Sequence, residues 1–280
     1  VADKEGRLSS FLQNELKMSS SLINKLKWGD AIRVNGTPQR TNYQVLPGDV
    51  ITVMLDEPDP EYPPQEGPLT IIYEDDHILV VDKPALMLIH PSHSQNEGTL
   101  ANYVYGYYAR TNQKCAFHPV TRLDRDTFGI VLLAKNAHVH TLLQQTEIAK
   151  IYHALVYGGP EADFGTIDAP IARRPLPSLL REISPLGKPS VTEFRVLERG
   201  EGICKLALRP VTGRTHQLRL HCAHMGWPIL GDPQYGTEES RSWSAGHGLE
   251  SQLLCAKSLS FIHPVTGKQM ELISQMEAAL

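Results

Sequence analysis

The densest group of residues able to do chemistry occupies positions 117–129. Within it, Asp124 stands between two arginines, Arg122 and Arg125, and the apolar run 130–134 follows at once. That run is short enough to be a buried strand, and polar groups at the mouth of such a strand commonly build a site. We therefore take Asp124 as the candidate catalytic carboxylate. Taken alone, the segment is more typical of a capped turn with surface salt bridges.

Motifs for cofactors and metals are missing from the sequence. It contains no dinucleotide fingerprint and no Walker phosphate loop. His90 and His93 have no carboxylate or cysteine partner at ligand spacing, so we interpret them as loop histidines. The four cysteines are far apart and form no Cys-x-x-Cys pair, which argues against a zinc site and a disulfide framework. These patterns predict no metal site.

Three segments, in order along the chain, resemble the motifs of the RluA-type pseudouridine synthase family. They are Arg122-Leu123-Asp124-x-x-Thr127-x-Gly129, then 150–156, then 212–219. The resemblance runs from about Ile71 to near the C-terminus and includes a block at 228–236. The chain departs from the family's usual histidine, serine and glycine at Thr121, Phe128 and Leu86, respectively.

The resemblance implies an isomerase that needs no cofactor. The N-glycosidic bond of a uridine breaks, the uracil turns, and a C-glycosidic bond forms. Asp124 falls on the family's catalytic aspartate, Tyr152 on its active-site tyrosine, and Arg219 on the arginine that pairs with the aspartate. Arg214 is the second choice for that pairing, and Arg122 is expected to fill the vacated base stack or hold phosphate. From pattern alone, Tyr152 would be an ordinary strand aromatic and Arg219 a helix-surface cation.

The residues allow two roles for Asp124. Its carboxylate can attack the sugar or the base as a nucleophile, or it can take a ribose proton so that the reaction passes through a glycal. The resemblance favours the glycal route. Arg219 would hold the carboxylate ionised, because an adjacent cation favours the charged form of an acid. Tyr152 would pack on the uracil and help remove the proton at the new attachment carbon.

Length and composition describe an ordinary globular chain. With 280 residues and 41% apolar content, it has room for one or two domains with a real core. The formal net charge of −4 excludes a broadly basic nucleic-acid binder, so RNA must be met by local basic patches. The sequence shows no signal peptide and no apolar run long enough to span a bilayer. We expect a cytoplasmic monomer with RNA as its partner and no membrane association.

Residues 1–55 are predicted to form an RNA-binding module. Apolar residues at helical spacing predict two helices, and short alternating runs separated by Asn35-Gly36 and Pro47-Gly48 predict strands. This order resembles the small alpha-L module shared by a ribosomal protein and many RNA-modifying enzymes. A charge cluster is usually only a solvated face, but the module favours RNA-binding roles for Lys25, Lys27 and Arg33.

The proline-rich acidic stretch 56–68 cannot form a regular helix or a central strand, so we predict a stiff linker. Residues 69–280 would then be the pseudouridine synthase catalytic domain, with helices at 98–110, 137–148 and 214–224. The expected fold class is α+β: a small α/β module, followed by a mixed, mostly antiparallel sheet with flanking helices. The active site should lie in a cleft across that sheet, with basic walls.

The resemblance favours large-subunit ribosomal RNA as the substrate, with transfer RNA as the alternative. A non-catalytic RNA-binding protein of the same fold is a further alternative, and the intact set of Asp124, Tyr152 and Arg219 argues against it. A hydrolase that uses Asp124 with a histidine finds no support, since the sequence has no Gly-x-Ser-x-Gly elbow and no His-Glu-x-x-His motif.

Overall fold

The structure, a computed structural model, describes residues 1–55, 59–92, 95–175, 177–178 and 180–280. Residues 56–58 of the linker and the loop residue His93 lie outside the described residues. Over the described part, the chain is a mixed α+β protein whose largest element is a mostly antiparallel sheet. This is the fold class that the sequence predicts.

The first 55 residues pack around a small core of their own. Their helices and strands are α1 (Leu8–Asn14), α2 (Ser20–Leu26), β1 (Gly6–Arg7), β2 (Ile32–Val34), β3 (Thr37–Pro38), β4 (Gln44–Val45) and β5 (Ile51–Val53). Ser19 caps α2, since its hydroxyl accepts a hydrogen bond from the Leu22 amide at 3.1 Å. Leu8 and Leu12 from α1 and Ile32 from β2 are fully buried in one apolar cluster. The two predicted helices and the strands after them are present.

The remaining strands are β6 (Thr70–Glu74), β7 (Ile78–Lys83), β8 (His118–Pro119), β9 (Phe128–Ala134), β10 (Ala149–Tyr157), β11 (Phe164–Asp168), β12 (Ile171–Arg173), β13 (Arg181–Ile183), β14 (Val191–Arg199), β15 (Ile203–Pro210), β16 (Leu254–Ile262) and β17 (Gln269–Ile273). Within the described residues, ten of them form one sheet in the order β11-β14-β15-β10-β16-β9-β7-β6, with β17 added to β16 and β8 to β9. The strand pairs of this sheet are antiparallel, except that β9 and β16 run parallel. β12 and β13 form a separate hairpin.

Four helices accompany the large sheet in the described residues: α3 (Leu100–Arg110), α4 (Ala137–Gln144), α5 (Gln217–His224) and α6 (Glu238–Gly246). α4 ends earlier than predicted, because the chain must turn before β10 begins at Ala149. α6 was not predicted, although Thr237 caps it and two glutamates occupy its first turn. Among the described helices, none combines the length and apolar content needed to cross a membrane.

The apolar run 130–134 is buried on both faces of the sheet. Val131 and Leu133 pack against α3, whereas Ile130 and Leu132 point to the opposite face and pack against α4. Alternate side chains of a strand point to opposite faces, so a strand covered on both sides needs a continuous apolar run. The prediction of a buried strand directly after Asp124 is therefore confirmed.

Residues 59–68 form neither helix nor strand and lie against α3. The Asn102 side chain donates to the Pro63 carbonyl at 3.0 Å, and the Gln65 amide donates to the Asn102 carbonyl at the same distance. A Cβ on Gly106 would lie 2.0 Å from the Gln65 carbonyl oxygen, so glycine allows this approach. This part of the predicted linker is thus fixed to the larger sheet's helix layer.

Candidate active site

Asp124 lies on the loop between β8 and β9, just before β9 enters the sheet. The loop closes on itself, because the Thr127 amide donates to the Asp124 carbonyl at 3.2 Å. Gly129 has a φ of 105°, and a Cβ at this position would lie 2.4 Å from the Ala256 carbonyl oxygen. Glycine therefore lets β9 approach β16 where the chain leaves the Asp124 loop.

Arg219 connects Asp124 to a second, buried carboxylate. Its Nη1 donates to Asp124 Oδ2 at 3.1 Å. Its Nε and Nη2 donate to the two oxygens of Asp232, at 2.7 and 2.8 Å. Nη2 also donates to Gln234 Oε1 at 2.8 Å, and the guanidinium lies over the Tyr235 ring. The guanidinium is thus fixed by a two-point ion pair, and one of its remaining donors points to Asp124.

The helix that carries Arg219 begins later than predicted. We expected it to start at Arg214, but α5 starts at Gln217, because His216 has a left-handed backbone with φ 58°. The Gln217 side chain accepts hydrogen bonds from the Thr212 hydroxyl at 2.8 Å and the Arg214 amide at 3.0 Å. It therefore holds 212–216 as a turn. Arg214, the second choice for the pairing, is exposed and donates to the Pro189 carbonyl at 3.3 Å. Of the two arginines, Arg219 is the one that contacts Asp124.

His216 also faces Asp124. Its Nε2 lies 3.9 Å from Asp124 Oδ2, and its Nδ1 is 2.9 Å from the Tyr235 hydroxyl. Burial lowers the pKa of His216, which Asp124 opposes and Arg219 reinforces. The neighbouring His221 is buried between the Thr192 hydroxyl and the Ala169 carbonyl. In the described residues, no group of three histidine, cysteine or acidic side chains is arranged to hold a metal ion.

Tyr152 lies on β10 at the floor of the site. Its ring is partly buried and packs against two apolar clusters. Burial raises the pKa of Tyr152, and the negative charge of Asp124 raises it further. The side chain is therefore a neutral phenol at neutral pH.

A cleft of about 750 Å³ contains these residues. Its walls are basic, as predicted, and carry the cations Arg122, Arg125, Lys150, Arg214 and Arg219. Among the described residues that line it, Asp124 is the only carboxylate. Arg122 is exposed at the rim, directly before Leu123 and Asp124. A cleft of this charge suits a polyanion, with one carboxylate held inside it.

The predicted RNA-binding residues of the first module lie apart from this cleft. Lys25 is exposed and belongs to α2, Lys27 follows that helix, and Arg33 lies on β2. Arg33 donates to the carbonyls of Asp30 and Gly36, at 3.1 and 3.4 Å. The predicted site residues therefore fall into two groups, one in the cleft and one on the first module.

Lys83 supports the Asp124 loop and was not predicted as a functional residue. It is fully buried at the end of β7, and its ammonium donates to the carbonyls of Pro84, Met87 and Arg125 at 2.8 to 3.0 Å. Burial lowers its pKa to about 8, which the charges of Asp126 and Asp124 oppose. The side chain thus joins the turn after β7 to the Asp124 loop.

Each departure from the family pattern has a structural counterpart. Thr121 is buried, and its hydroxyl accepts a hydrogen bond from the Leu132 amide at 2.9 Å. Phe128 packs with Leu155 and Cys255 in an apolar cluster. Leu86, where the family has glycine, has a φ of 64°, which is a conformation that glycine adopts without strain.

Comparison with known proteins gives one consistent result. Residues 77–224 match the model of the RNA pseudouridylate synthase family. The chain is 33% identical over 290 residues to the ribosomal large subunit pseudouridine synthase C of Vibrio cholerae, covering 98% of this chain and 90% of that protein. It is 34% identical over 266 residues to the ribosomal large subunit pseudouridine synthase D of Escherichia coli, covering 90% and 81%. An RNA pseudouridine synthase of Bacillus subtilis is 35% identical over 263 residues, covering 91% and 90%.

Solved structures of human proteins show the same fold. Human RNA pseudouridylate synthase domain containing 1 superposes with a TM-score of 0.61 at 27% identity, covering 75% of this chain and 84% of that one. Human RNA pseudouridylate synthase domain containing 4 gives 0.59 at 22% identity, covering 74% and 88%. Since sequence relatives match along almost the whole chain and the fold agrees, this protein belongs to the RNA pseudouridylate synthase family and is an RNA pseudouridine synthase, an isomerase.

Proposed function

We propose that this enzyme isomerises uridines of large-subunit ribosomal RNA, with Asp124 as its catalytic carboxylate. The observation that carries the catalytic assignment is the Asp124–Arg219 contact of 3.1 Å inside a basic cleft. The substrate assignment rests on the relatives in Vibrio cholerae and Escherichia coli, which are named as large-subunit enzymes. Transfer RNA is the alternative substrate.

Asp124 acts beside the anomeric carbon of the target uridine. It works either as a nucleophile or by taking a ribose proton on the way to a glycal, and we favour the second route. Arg219 orients the carboxylate through the charge-assisted hydrogen bond from its Nη1 to Asp124 Oδ2. Asp232 in turn fixes Arg219 through two hydrogen bonds. No cofactor takes part in this scheme.

Tyr152 packs against the uracil and takes part in removing the proton from the new attachment carbon. Since burial and Asp124 raise its pKa, it acts as a phenol rather than as a preformed phenolate. Its oxygen can accept a proton only while it gives up its own. Asp124, which interacts with it electrostatically, is the base at hand.

Arg122 enters the duplex when the uridine leaves it. A uridine in structured RNA must be flipped out of its stack, which costs a few kcal/mol. Arg122 is exposed at the rim of the cleft, two residues from Asp124. Its planar guanidinium can fill the vacated stack or hold the flanking phosphate. Arg214, on the opposite loop, binds phosphate.

Residues 1–55 act as a separate RNA-binding module, joined to the catalytic domain of residues 69–280 by the linker 56–68. Lys25, Lys27 and Arg33 contact the RNA backbone. We expect the enzyme to act as a monomer.

Asp124→Asn should abolish pseudouridine formation while RNA is still bound, because the amide cannot act as a nucleophile or base. Pseudouridine is mapped in total RNA from cells without the gene and after rescue with wild type, Asp124→Asn or the matched control Asp126→Asn. We expect a large-subunit site that wild type and Asp126→Asn restore and Asp124→Asn does not. Restoration by Asp124→Asn would refute the role of Asp124. A lost site in transfer RNA would replace the proposed substrate by its alternative.

A further inference from the structure

Trp28 is a large aromatic side chain on the surface of the first module. It follows α2 and precedes β2, and 72% of its surface is exposed. It does not line the catalytic cleft. Single exposed apolar residues are common on protein surfaces, so exposure by itself assigns no role to Trp28.

Two cations lie over the Trp28 ring. The Arg40 guanidinium carbon is 5.0 Å from the ring centroid, and the Lys27 Nζ is 5.2 Å from it. Both distances are within the range of a cation–π interaction. Arg40 also donates to the Lys27 carbonyl at 3.1 Å, and Lys27 donates to Asn24 Oδ1 at 2.8 Å. These contacts hold the ring and both charges together before any ligand arrives.

The charge around this cluster differs from that of the whole chain. Residues 17–40 contain five cations and one carboxylate, Asp30, whereas the chain carries a net charge of −4. An anionic ligand is therefore attracted to this part of the first module. A ligand with charge alone would engage the lysines and arginines and leave the indole in water. A ligand that offers both phosphates and flat rings uses every member of the cluster.

We propose that Trp28 is a stacking platform for an unpaired nucleotide of the RNA, with Arg40 and Lys27 bound to the phosphates beside it. The inference rests on the proposed RNA-binding role of the first module and makes it specific. Paired bases inside a duplex have both faces covered by their neighbours. An unpaired or bulged base offers a free face to an aromatic side chain.

Binding of full-length protein to two labelled RNA duplexes of equal length tests this proposal. One duplex is fully paired and the other contains a bulge of two unpaired nucleotides. We expect Trp28→Ala to weaken binding of the bulged duplex roughly tenfold, as for loss of a stacked base, and to leave the paired duplex unchanged. Trp28→Phe, which retains a flat ring, should keep most of the preference. Phe164→Ala removes another aromatic, 77% exposed and outside the module, and should change neither affinity.

The cations should behave differently from the ring. Arg40→Ala should weaken binding of both duplexes to the same extent. It should also reduce the slope of log affinity against log salt concentration by about 1, as for loss of one phosphate contact. An equal effect of Trp28→Ala on both duplexes, or no effect, would overturn the stacking role. Thermal melting of each variant separates these results from loss of folding.

Pseudouridine formation on large-subunit transcripts, measured with the same wild-type sample, separates this inference from the proposed function. If wild type modifies no uridine but Trp28→Ala still weakens binding of the bulged duplex, the proposed substrate is wrong and the stacking site is supported. If wild type is active and Trp28→Ala binds the bulged duplex normally, the stacking site alone fails.

Discussion

Arg219 is shared by two carboxylates whose surroundings differ. The Asp232 side chain is 1% exposed and receives two hydrogen bonds from the guanidinium. The Asp124 side chain is 32% exposed and receives one. Asp232 therefore fixes the position of Arg219, whereas Asp124 keeps lone pairs that face the cleft. The same cation can then hold Asp124 without occupying both of its oxygens.

Tyr152→Phe separates the packing of the ring from the chemistry of its hydroxyl. The phenylalanine keeps the packing of the ring against the two apolar clusters, so RNA affinity and thermal stability should stay near those of wild type. The single-turnover rate of pseudouridine formation should fall by about 10²–10⁴-fold, which is typical for loss of one general acid–base group.

Tyr157→Phe is the matched control for this variant, since Tyr157 lies at the far end of the same strand and does not line the cleft. It should react at the wild-type rate. A Tyr152→Phe enzyme as fast as wild type would leave Tyr152 with a packing role alone, and the proton would have to leave by another route.

Among the site residues, sequence patterns predict the functional role of those that lie in compact motifs. Asp124, Tyr152 and Arg219 each fall in such a segment, and the structure brings the three to one cleft. Asp232 and Lys83 were missed as functional residues, although both lie in segments that resemble the family. Their partners are distant, 13 residues away for Asp232 and 42 for the Lys83–Arg125 contact. Nothing in the local pattern of either residue states what it will contact.

At the scale of elements, the same distinction holds. The apolar run 130–134 predicts its strand correctly, because burial on both faces leaves a continuous signal in the sequence. The start of α5 was predicted wrongly, because it depends on the Gln217 side chain holding the turn before it. These hydrogen bonds keep residues 214–216 out of the helix that was predicted over 214–224. No periodic pattern in the sequence indicates such bonds.

Leu86→Gly should stabilise the turn between β7 and α3. Left-handed backbone costs an ordinary residue roughly 1–2 kcal/mol, and Leu86 adopts it with φ 64°. Glycine removes that strain but loses about 0.4–1 kcal/mol through the greater freedom of the unfolded chain. Leu86 is 46% exposed, so little packing is lost. We expect a net gain between zero and about 1.6 kcal/mol, and each 1 kcal/mol should raise Tm by about 2–4 °C.

Asn35→Gly provides the contrast, because Asn35 also has positive φ, of 50°. Asparagine tolerates this backbone better than leucine, and the Asn35 side chain bonds Asp49 at 2.7 Å and the Val50 amide at 2.9 Å. Removing it should lower Tm. If Leu86→Gly also lowers Tm, the contacts of the leucine outweigh its backbone strain.

At the scale of the whole molecule, the C-terminal segment packs across three strands of the large sheet, on the face opposite the active site. The Glu277 carboxylate contacts nitrogen atoms of side chains on three neighbouring strands. These are His153 on β10 at 2.8 Å, Lys205 on β15 at 3.2 Å and Lys257 on β16 at 3.1 Å. Ala278 beside it is fully buried. His153 directly follows Tyr152 along β10, so this contact and the cleft lie on opposite faces of one strand.

Burial would raise the pKa of Glu277, but His153 and Lys257 outweigh it and lower the pKa to about 2. In the unfolded chain the carboxyl has its ordinary pKa of 4.5. Between these two values, the unfolded chain binds the proton and the folded protein does not, so stability falls as pH falls. The contribution of Glu277 is complete above 4.5 and is lost progressively from there towards pH 2.

Glu277→Gln should therefore lower the free energy of unfolding at pH 7, and its difference from wild type should shrink as the pH falls below 4.5. Urea unfolding at pH 7, 5, 4 and 3 measures that difference. Glu271→Gln, on the exposed face of β17 and without an ion pair among the described residues, should match wild type at every pH. If the loss of unfolding free energy in Glu277→Gln stays constant down to pH 3, the charge of the carboxylate is not what holds the C-terminal segment on the sheet. His153, Lys205 and Lys257 would then be positioned by the sheet itself, and the buried Ala278 would hold the C-terminal segment in place.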